Sequence, residues 1–495
     1  MLICAAACVL LLTKNSNDEG VRLDVGALTE GAAAIRRIDR RRQQDEESTA
    51  ASSKKTKCSD CDYDRARVCV YQDCLGSDSL FGRYFERVFH ISRGTFERVW
   101  QIAATDDVFF QHHVNPVTQK AMCPEVKVLM GLKQLAFGVP PIAFCDCFQM
   151  GETAGRSCIK RLCNVIPRNV TLRETHLRKP TKADTMRISQ LHVDECGGFP
   201  GNVGCLDCMH VHWKNCPRGW QGQFKNGKEE MSSLVLEAVS DYNAWFWHSF
   251  FGSPGANNDV NMWDQSPLLN SMLDGTLEAC NFAFQIGDES FNKVWHMVDG
   301  IYPELTWFVK TCAVPMNRFQ TDYAAWQEGN RKMIERAFGM LQRKFQALCR
   351  PVELFYMYDI ADVVDTCLIL HNMMVELRME RDEPEFLSIY DAVTLDENEQ
   401  RDEERDAPER REEESAESNA AATGRVTTDG NDDRQAGVAA RWNALSSNRQ
   451  DEVHVQWELN FIDSDRHWDE LYNEQEHHRL KHTLMKEIPK LKKTN

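Results

Sequence analysis

Three apolar runs follow one another at residues 203–209, 233–240 and 244–251, each of strand length and too short for a core helix. A helical pattern at 259–269, a fourth strand-like run at 294–298 and two long helical patterns at 323–345 and 360–376 complete the series. The order strand, strand, strand, helix, strand, helix restricts residues 198–376 to an α/β fold, a mixed sheet flanked by helices. Within it the first strand leads to Asp207, the fourth leads straight into Asp299, and the long helix carries Glu335.

That order is the order of a ribonuclease-H-like domain, and the three acids suit one chemistry. Phosphodiester cleavage needs charge neutralised on the attacking and the leaving oxygen, which two divalent ions about 3.5–4 Å apart accomplish. Mg²⁺ (or Mn²⁺) prefers hard oxygen ligands and is held by few carboxylates plus substrate phosphate. Asp207 is expected to bridge two such ions, with Asp299 on one and Glu335 on the other. Each acid also has an ordinary use. Asp299-Gly300 is a good turn pair, and Glu335 has Arg331 and Lys332 on its own helix. Asp288, after Gly287, rivals Asp299 as the second carboxylate, and Asp259 is either an auxiliary acid or the cap of the helix expected to start there.

Cations gather where a phosphate backbone would lie. The helix of Glu335 bears Arg331, Lys332 and Arg336, more than a structural carboxylate needs. Lys214, Arg218 and Lys225 follow Asp207 in a loop with Trp213 and Trp220, a basic and aromatic mixture suited to nucleic acid. Upstream, a short helix at 142–148, a turn at Met150-Gly151 and a basic helix from Glu152 carrying Arg156, Lys160 and Arg161 outline a helix-turn-helix. Helical hairpins that only pack share this outline.

The net charge of −17 runs against a nucleic-acid binder, which usually shows a basic face. It is concentrated, however: residues 396–417 hold twelve acidic and four basic side chains, a local charge of −8. The expected organisation is a mostly disordered N-terminal region with a basic cluster (1–72), a helical, helix-turn-helix-like domain (73–190) and the α/β nuclease domain (198–376). An acidic low-complexity linker (377–450) and a C-terminal amphipathic helix (451–495) follow, the helix docking on the body through Trp468, Leu471, Leu480, Leu484 and Ile488. The nineteen cysteines scatter through apolar segments and read as reduced, buried thiols. Cys58, Cys61, Cys69 and Cys74 depart from zinc-ribbon spacing and are read as chance. The apolar start, residues 1–13, has no basic residue before it and is too short to span a bilayer, so no membrane is expected. The clustered arginines at 36–42 and the lysines near the C-terminus are import candidates that place the chain in the nucleus.

The motifs resemble those of the PIF/Harbinger transposases, plant-transposon-type members of the DDE superfamily. They run from Gly198-Phe-Pro-Gly-Asn-Val-Gly-Cys-Leu-Asp-Cys-Met-His210 through Trp213-Lys-Asn-Cys-Pro-Arg-Gly-Trp-Gln-Gly222, Asn257-Asn-Asp-Val-Asn261 and Asp299-Gly-Ile-Tyr-Pro303. Phe308-Val-Lys-Thr311, Glu335-Arg-Ala-Phe-Gly-Met-Leu-Gln342 and Leu370-His-Asn-Met-Met374 follow in the same order. The resemblance covers about residues 73–376. It implies the acidic triad at Asp207, Asp299 and Glu335, metal-dependent cutting at terminal inverted repeats, and strand transfer into a short AT-rich target. The partners expected are double-stranded DNA (transposon ends and target), a Myb-like accessory protein and, on DNA, further copies of the chain. The alternative is a domesticated DNA-binding or scaffold protein that keeps the fold without catalysis.

Overall fold

The computed structural model describes residues 61–76, 84–112, 121–196, 198–225, 231–257, 262–263, 265–273, 275–277, 280–381 and 474–491. Most of the N-terminal region, most of the acidic linker, Cys58 and Asp259 lie outside the described residues. The chain divides into two compact units, 1–59 with 429–459 and 60–428 with 460–495, and every described residue belongs to the second.

The described residues before 198 are helical, with α1 (Arg93–Asp106), α2 (Pro124–Phe137), α3 (Cys145–Phe148), α4 (Glu152–Arg168), α5 (Val170–His176) and α6 (Lys182–Glu195). Apolar residues recur at helical spacing at Phe85, Val88, Phe89, Phe96 and Val99 and again at Val126, Val128, Leu129, Leu132 and Leu135; all but half-buried Val88 are buried, so burial of one face holds this layer together. Local chemistry sets the ends. Ser92 caps α1 by accepting from the Thr95 amide, and Pro at the first turn of α2 costs no helical hydrogen bond.

A five-stranded mixed sheet follows, built from β1 (Asn202–His212), β2 (Ser233–Ser240), β3 (Phe246–Pro254), β6 (Trp295–Met297) and β7 (Phe308–Val309). Its order is β3-β2-β1-β6-β7. The pairs β1–β2 and β2–β3 are antiparallel, while β1–β6 and β6–β7 are parallel. Between β3 and β6 come α7 (Pro267–Leu273) and a separate hairpin of β4 (Phe284–Ile286) and β5 (Glu289–Phe291). The helix expected over 259–269 divides: Met262 and Trp263 are helical, and α7 starts only after Ser266, whose hydroxyl accepts from the Leu268 amide. After β7 come the 27-residue α8 (Arg318–Lys344), then α9 (Met357–Glu380) and α10 (Glu474–Leu491).

Helices cover both faces of the sheet. On one, Cys205, Met209, Leu236, Ala238, Trp295 and Met297 join Ile334, Ala337 and Leu341 of α8 in a cluster that continues into α1, α2, α4 and α9. On the other, Val203, Leu206, Val239 and Val298 pack with Trp263, Leu269, Met272, Tyr302 and Phe308. The helical half and the sheet thus share one buried cluster across residues 190–198. Leu480 and Leu484 of α10 are buried in the same cluster, as expected of the C-terminal helix; Trp468 and Leu471 lie outside the described residues. No helix among the described residues is long and apolar enough to cross a membrane.

Helix α6 joins the two halves, and its N-terminus is a capping box. The Thr181 hydroxyl accepts from the Asp184 amide, and the Asp184 carboxylate accepts from the Thr181 amide and from Arg178. Burial pushes the Asp184 carboxyl up, but the donors from Arg178 and Thr181 outweigh it and bring the group down to about 2 from 3.8. A depressed carboxyl stabilises the fold above its unfolded-state pKa and loses that contribution as pH falls toward the folded value. Asp184→Ala is therefore expected to cost about 1–2 kcal/mol at pH 7. The difference from the parent should narrow between about pH 4 and pH 2, read by urea unfolding at each pH.

Candidate active site

The site rests on the register between two parallel strands. Asn202 lies opposite Trp295 and Cys205 opposite Met297, so β1 carries one residue more than β6 over this stretch, a bulge. Gly204 allows it: its φ is +131°, its amide donates to the Asn202 side chain, and a Cβ there would stand 2.6 Å from the Ser240 carbonyl oxygen. Asp207 and Asp299 each lie two residues beyond the Cys205–Met297 pair. Side chains alternate along a strand, so both acids belong to the face of Cys205 and Met297, on strands about 4.8 Å apart. That face is the one α8 covers: Cys205 packs toward the Asn330 carbonyl, whereas Cys208, on the opposite face, meets the Tyr302 hydroxyl at 3.5 Å.

Helix α8 is fastened above the strand ends by two polar side chains. Gln327, fully buried, donates to the carbonyls of Val298 (2.9 Å), the residue just past β6, and Val309 (3.2 Å), the last of β7. The Tyr323 hydroxyl donates to the Lys310 carbonyl at 2.6 Å. One and two turns further on, the same helical face presents Arg331 and Glu335.

Arg331 holds the centre. Its guanidinium Nη1 lies 2.8 Å from Glu335 Oε1 and 3.3 Å from Asp207 Oδ2, and its Nε lies 3.4 Å from Glu328 Oε2. Burial pulls the Arg331 pKa down, but the fields of Glu335, Asp207, Glu328 and Asp299, in that order, raise it above its ordinary value. Asp207 and Arg331 are only 17% and 15% exposed, whereas Glu335 is 47% exposed, so the cluster is closed on the sheet side and open at Glu335. The acids meet around the guanidinium and do not close on one another. Among the described residues, the His, Cys, Asp or Glu ligand atoms that all lie within 4.8 Å of each other are those of Glu304, His477 and His478. Asp207 also accepts from the amide of Cys208, and Asp299 from that of Gly300.

The remaining residues singled out by sequence are placed as follows. Asp288 sits, exposed, in the two-residue turn of the β4–β5 hairpin, next to Gly287 with φ +60°. Arg156, Lys160 and Arg161 lie on α4 after the α3 turn, and each is paired with a carboxylate: Glu152 at 2.5 Å, Asp359 at 3.6 Å and Asp107 at 3.0 Å. Lys214 pairs with Glu353 at 2.7 Å, while Arg218 and Lys225 are exposed. Arg336 donates to the Tyr242 carbonyl and lies over its ring; Lys332 is exposed on α8. Two groups at the site escape sequence reading. Glu328, three residues before Arg331, was legible only as helix spacing. Lys310 is half-buried, and burial lowers its pKa while Glu304 and Asp299 oppose this.

A strand of the sheet and the helix that covers it thus bring the acidic oxygens of Asp207 and Glu335 to one guanidinium. Residues 174–383 match the family described as plant transposon protein. The chain is 23% identical over 265 residues to the human "Putative nuclease HARBI1" (53% of this chain, 70% of that protein), and equally so to its Bos taurus counterpart. It is 20% identical over 300 residues to "Protein ALP1-like" of Arabidopsis thaliana (59% of this chain, 71% of that protein). No solved structure matches. Over these stretches the chain is thus similar to plant transposon proteins and to relatives of which one carries the name of nuclease.

Arg331→Gln leaves the half-buried Asp207 facing other acids without its cation. Hydrogen bonds to charged groups contribute roughly 1.5–3 kcal/mol. A loss in that range is expected in chemical denaturation without divalent ions, and saturating Mg²⁺ should recover part of it.

Proposed function

We propose that this chain is a DDE transposase or endonuclease. It would cut double-stranded DNA at transposon terminal inverted repeats and join the ends to target DNA, with Asp207, Asp299 and Glu335 as the acidic triad on a ribonuclease-H-like domain. The observation that carries the reading is the meeting of Asp207 from β1 and Glu335 from α8 on the guanidinium of Arg331, with Asp299 at the end of the adjacent parallel strand, its field reaching the same guanidinium. The sheet order β3-β2-β1-β6-β7, with β1 central, supports the ribonuclease-H-like assignment.

The donor set suits Mg²⁺ or Mn²⁺: it is oxygen-only, and it already stabilises a positive charge at its centre. A pair of such ions would supply charge neutralisation at the attacking and leaving oxygens. The chain's own residues do the rest. The β1 bulge sets Asp207 level with Asp299, Gln327 and Tyr323 hold α8 over them, and half-exposed Glu335 leaves the DNA side open. Arg331 keeps the acids in place as a counter-charge until ions and phosphate arrive. Arg218, Lys225 and Lys332 would lie along the DNA backbone, joined by Lys214, Arg336 and the cations of α4, where phosphates compete with Glu152, Asp359 and Asp107 for Arg156, Lys160 and Arg161. Work on DNA places the chain in the nucleus, together with a Myb-like accessory protein and further copies of itself. A second reading, a transposase-derived DNA-binding or scaffold protein without catalysis, is favoured by one observation: Arg331 already pairs with Asp207 and Glu335 of the triad.

Asp207→Ala, Asp299→Ala and Glu335→Ala should each reduce Mg²⁺-dependent nicking of terminal-repeat DNA by 10³-fold or so, a barrier increase of about 4 kcal/mol, while DNA affinity stays within a few fold. Full activity in any one variant removes that residue from the site. An inactive parent that binds repeats normally selects the scaffold reading. The double variant Arg156→Ala/Lys160→Ala tests the helix-turn-helix. Two lost phosphate contacts should flatten the slope of log affinity against log salt by about 1.8, and an unchanged slope removes α4 from the DNA interface.

A further inference from the structure

Where α10 meets the loop after Asp299, Glu304, His477 and His478 each offer a ligand atom, all within 4.8 Å of one another. His477 is 1% exposed. Its Nδ1 lies 2.9 Å from the Leu305 carbonyl oxygen. A carbonyl only accepts, so Nδ1 carries the proton and Nε2 presents its lone pair. That Nε2 is buried and has no hydrogen-bond partner. A buried acceptor without a partner is a liability that folded proteins avoid unless a water or an ion satisfies it. A histidine that donates one ring nitrogen to a backbone carbonyl, keeps the other without a hydrogen-bond partner and stands in a cluster of ligand atoms has the features of a metal-binding histidine. Glu304 Oε2 lies 3.9 Å from His478 Nε2, across the same space.

We infer that Glu304, His477 and His478 form a site for a transition-metal dication of the Zn²⁺ type, separate from the carboxylate site around Arg331. Two imidazoles and a carboxylate suit zinc, which accepts nitrogen and oxygen at about 2.0–2.2 Å and leaves a fourth position to water. Mg²⁺ takes oxygen and does not compete for imidazole. Drawing three ligands onto one tetrahedral ion brings their atoms to roughly 3.3 Å apart. Glu304 and His478 are exposed and free to make that adjustment, while His477 is fixed by its bond to Leu305.

The ion would act as a clasp. Residues 382–473 separate α10 from α9, and holding the ends of so long a segment together costs chain entropy. The neighbouring contacts of α10 are polar and partly exposed: Lys481 donates to the Thr311 carbonyl, and Arg479 pairs with Glu289. A metal bond there would fix α10 onto the loop that joins Asp299 to β7, and with it the position of Lys310. The site does not depend on the nuclease reading, and its test does not use DNA.

The full chain, stripped with chelator and dialysed against limiting Zn²⁺ with millimolar Mg²⁺ present to occupy the carboxylate site, should retain one zinc per chain by elemental analysis. Its thermal unfolding should rise with Zn²⁺ and not with further Mg²⁺. Glu304→Gln and His478→Gln, exposed positions that leave the fold intact, should each weaken zinc binding by at least roughly 10–100-fold. His477→Gln should abolish it. Co²⁺ in place of zinc should give visible absorption of a tetrahedral centre in the parent alone. No retained zinc in the parent, or one zinc retained equally by parent and by the Glu304→Gln and His478→Gln variants (as its cysteines would cause), overturns the proposal.

Discussion

One guanidinium organises the acidic end of this fold. Without a cation, Asp207, Asp299, Glu328 and Glu335 would repel one another at the end of the sheet, where Asp207 is largely covered and Glu328 and Glu335 face solvent. Arg331 makes the convergence tolerable because it is planar, always charged and able to meet several carboxylates at once. The stability of the pocket and its chemistry are therefore the same electrostatic problem. Any ligand that brings positive charge competes with Arg331, and any ligand that brings phosphate is attracted to it.

That convergence depends on backbone features remote from charge. A single extra residue in β1, permitted by the positive φ of Gly204, brings Asp207 level with Asp299. A register slip of one residue would turn Asp207 to the opposite face, that of the apolar cluster of Leu206 and Tyr302, away from Arg331. Gln327 ties α8 to carbonyls at the ends of β6 and β7, so the helix that bears the counter-charge is indexed directly to the strand end that bears Asp299. The packed core beneath, shared by the helical half and the sheet, leaves little freedom for these elements to drift apart.

Much of this was legible from the residues, for identifiable reasons. β2 matches its expected span because all eight of its residues are buried, and its apolar Leu234–Leu236 and Ala238–Val239 read as a buried strand despite Glu237 between them. The long helices α8 and α9 repeat apolar residues over six turns or more, and only their ends differ from expectation. β7, two residues long, and the strands of the β4–β5 hairpin, three each, are too short to show a period. The acids were visible as strand-end and helical carboxylates, yet their common partner was not. Arg331 read as one of several basic residues, since nothing in sequence spacing tells a guanidinium turned toward a sheet from one turned toward solvent. The α4 cations show the reverse: they read as a DNA-facing row, and their carboxylate partners Asp107 and Asp359 lie 54 and 199 positions away in the chain.

Spatial partnership across long chain separations also explains why the histidines of α10 carried no signal. His477-His478 lies in a C-terminal segment whose acidic approach reads as a linker, and Glu304 follows a motif quoted for its turn. Only when Leu480 and Leu484 seat α10 in the core does the Leu305 carbonyl fix one ring nitrogen of His477, leaving the other buried without a hydrogen-bond partner in a residue clustered with Glu304. The apolar face of the helix is legible by its period, and the polar consequence of docking it is not. The two acidic centres of this protein differ in the same way. Around Arg331 the missing partner of each acid is supplied by the chain itself, so the pocket is stable as it stands. Around His477 it is not, and a buried lone pair without a donor is a stronger sign of an absent ligand than any number of exposed carboxylates.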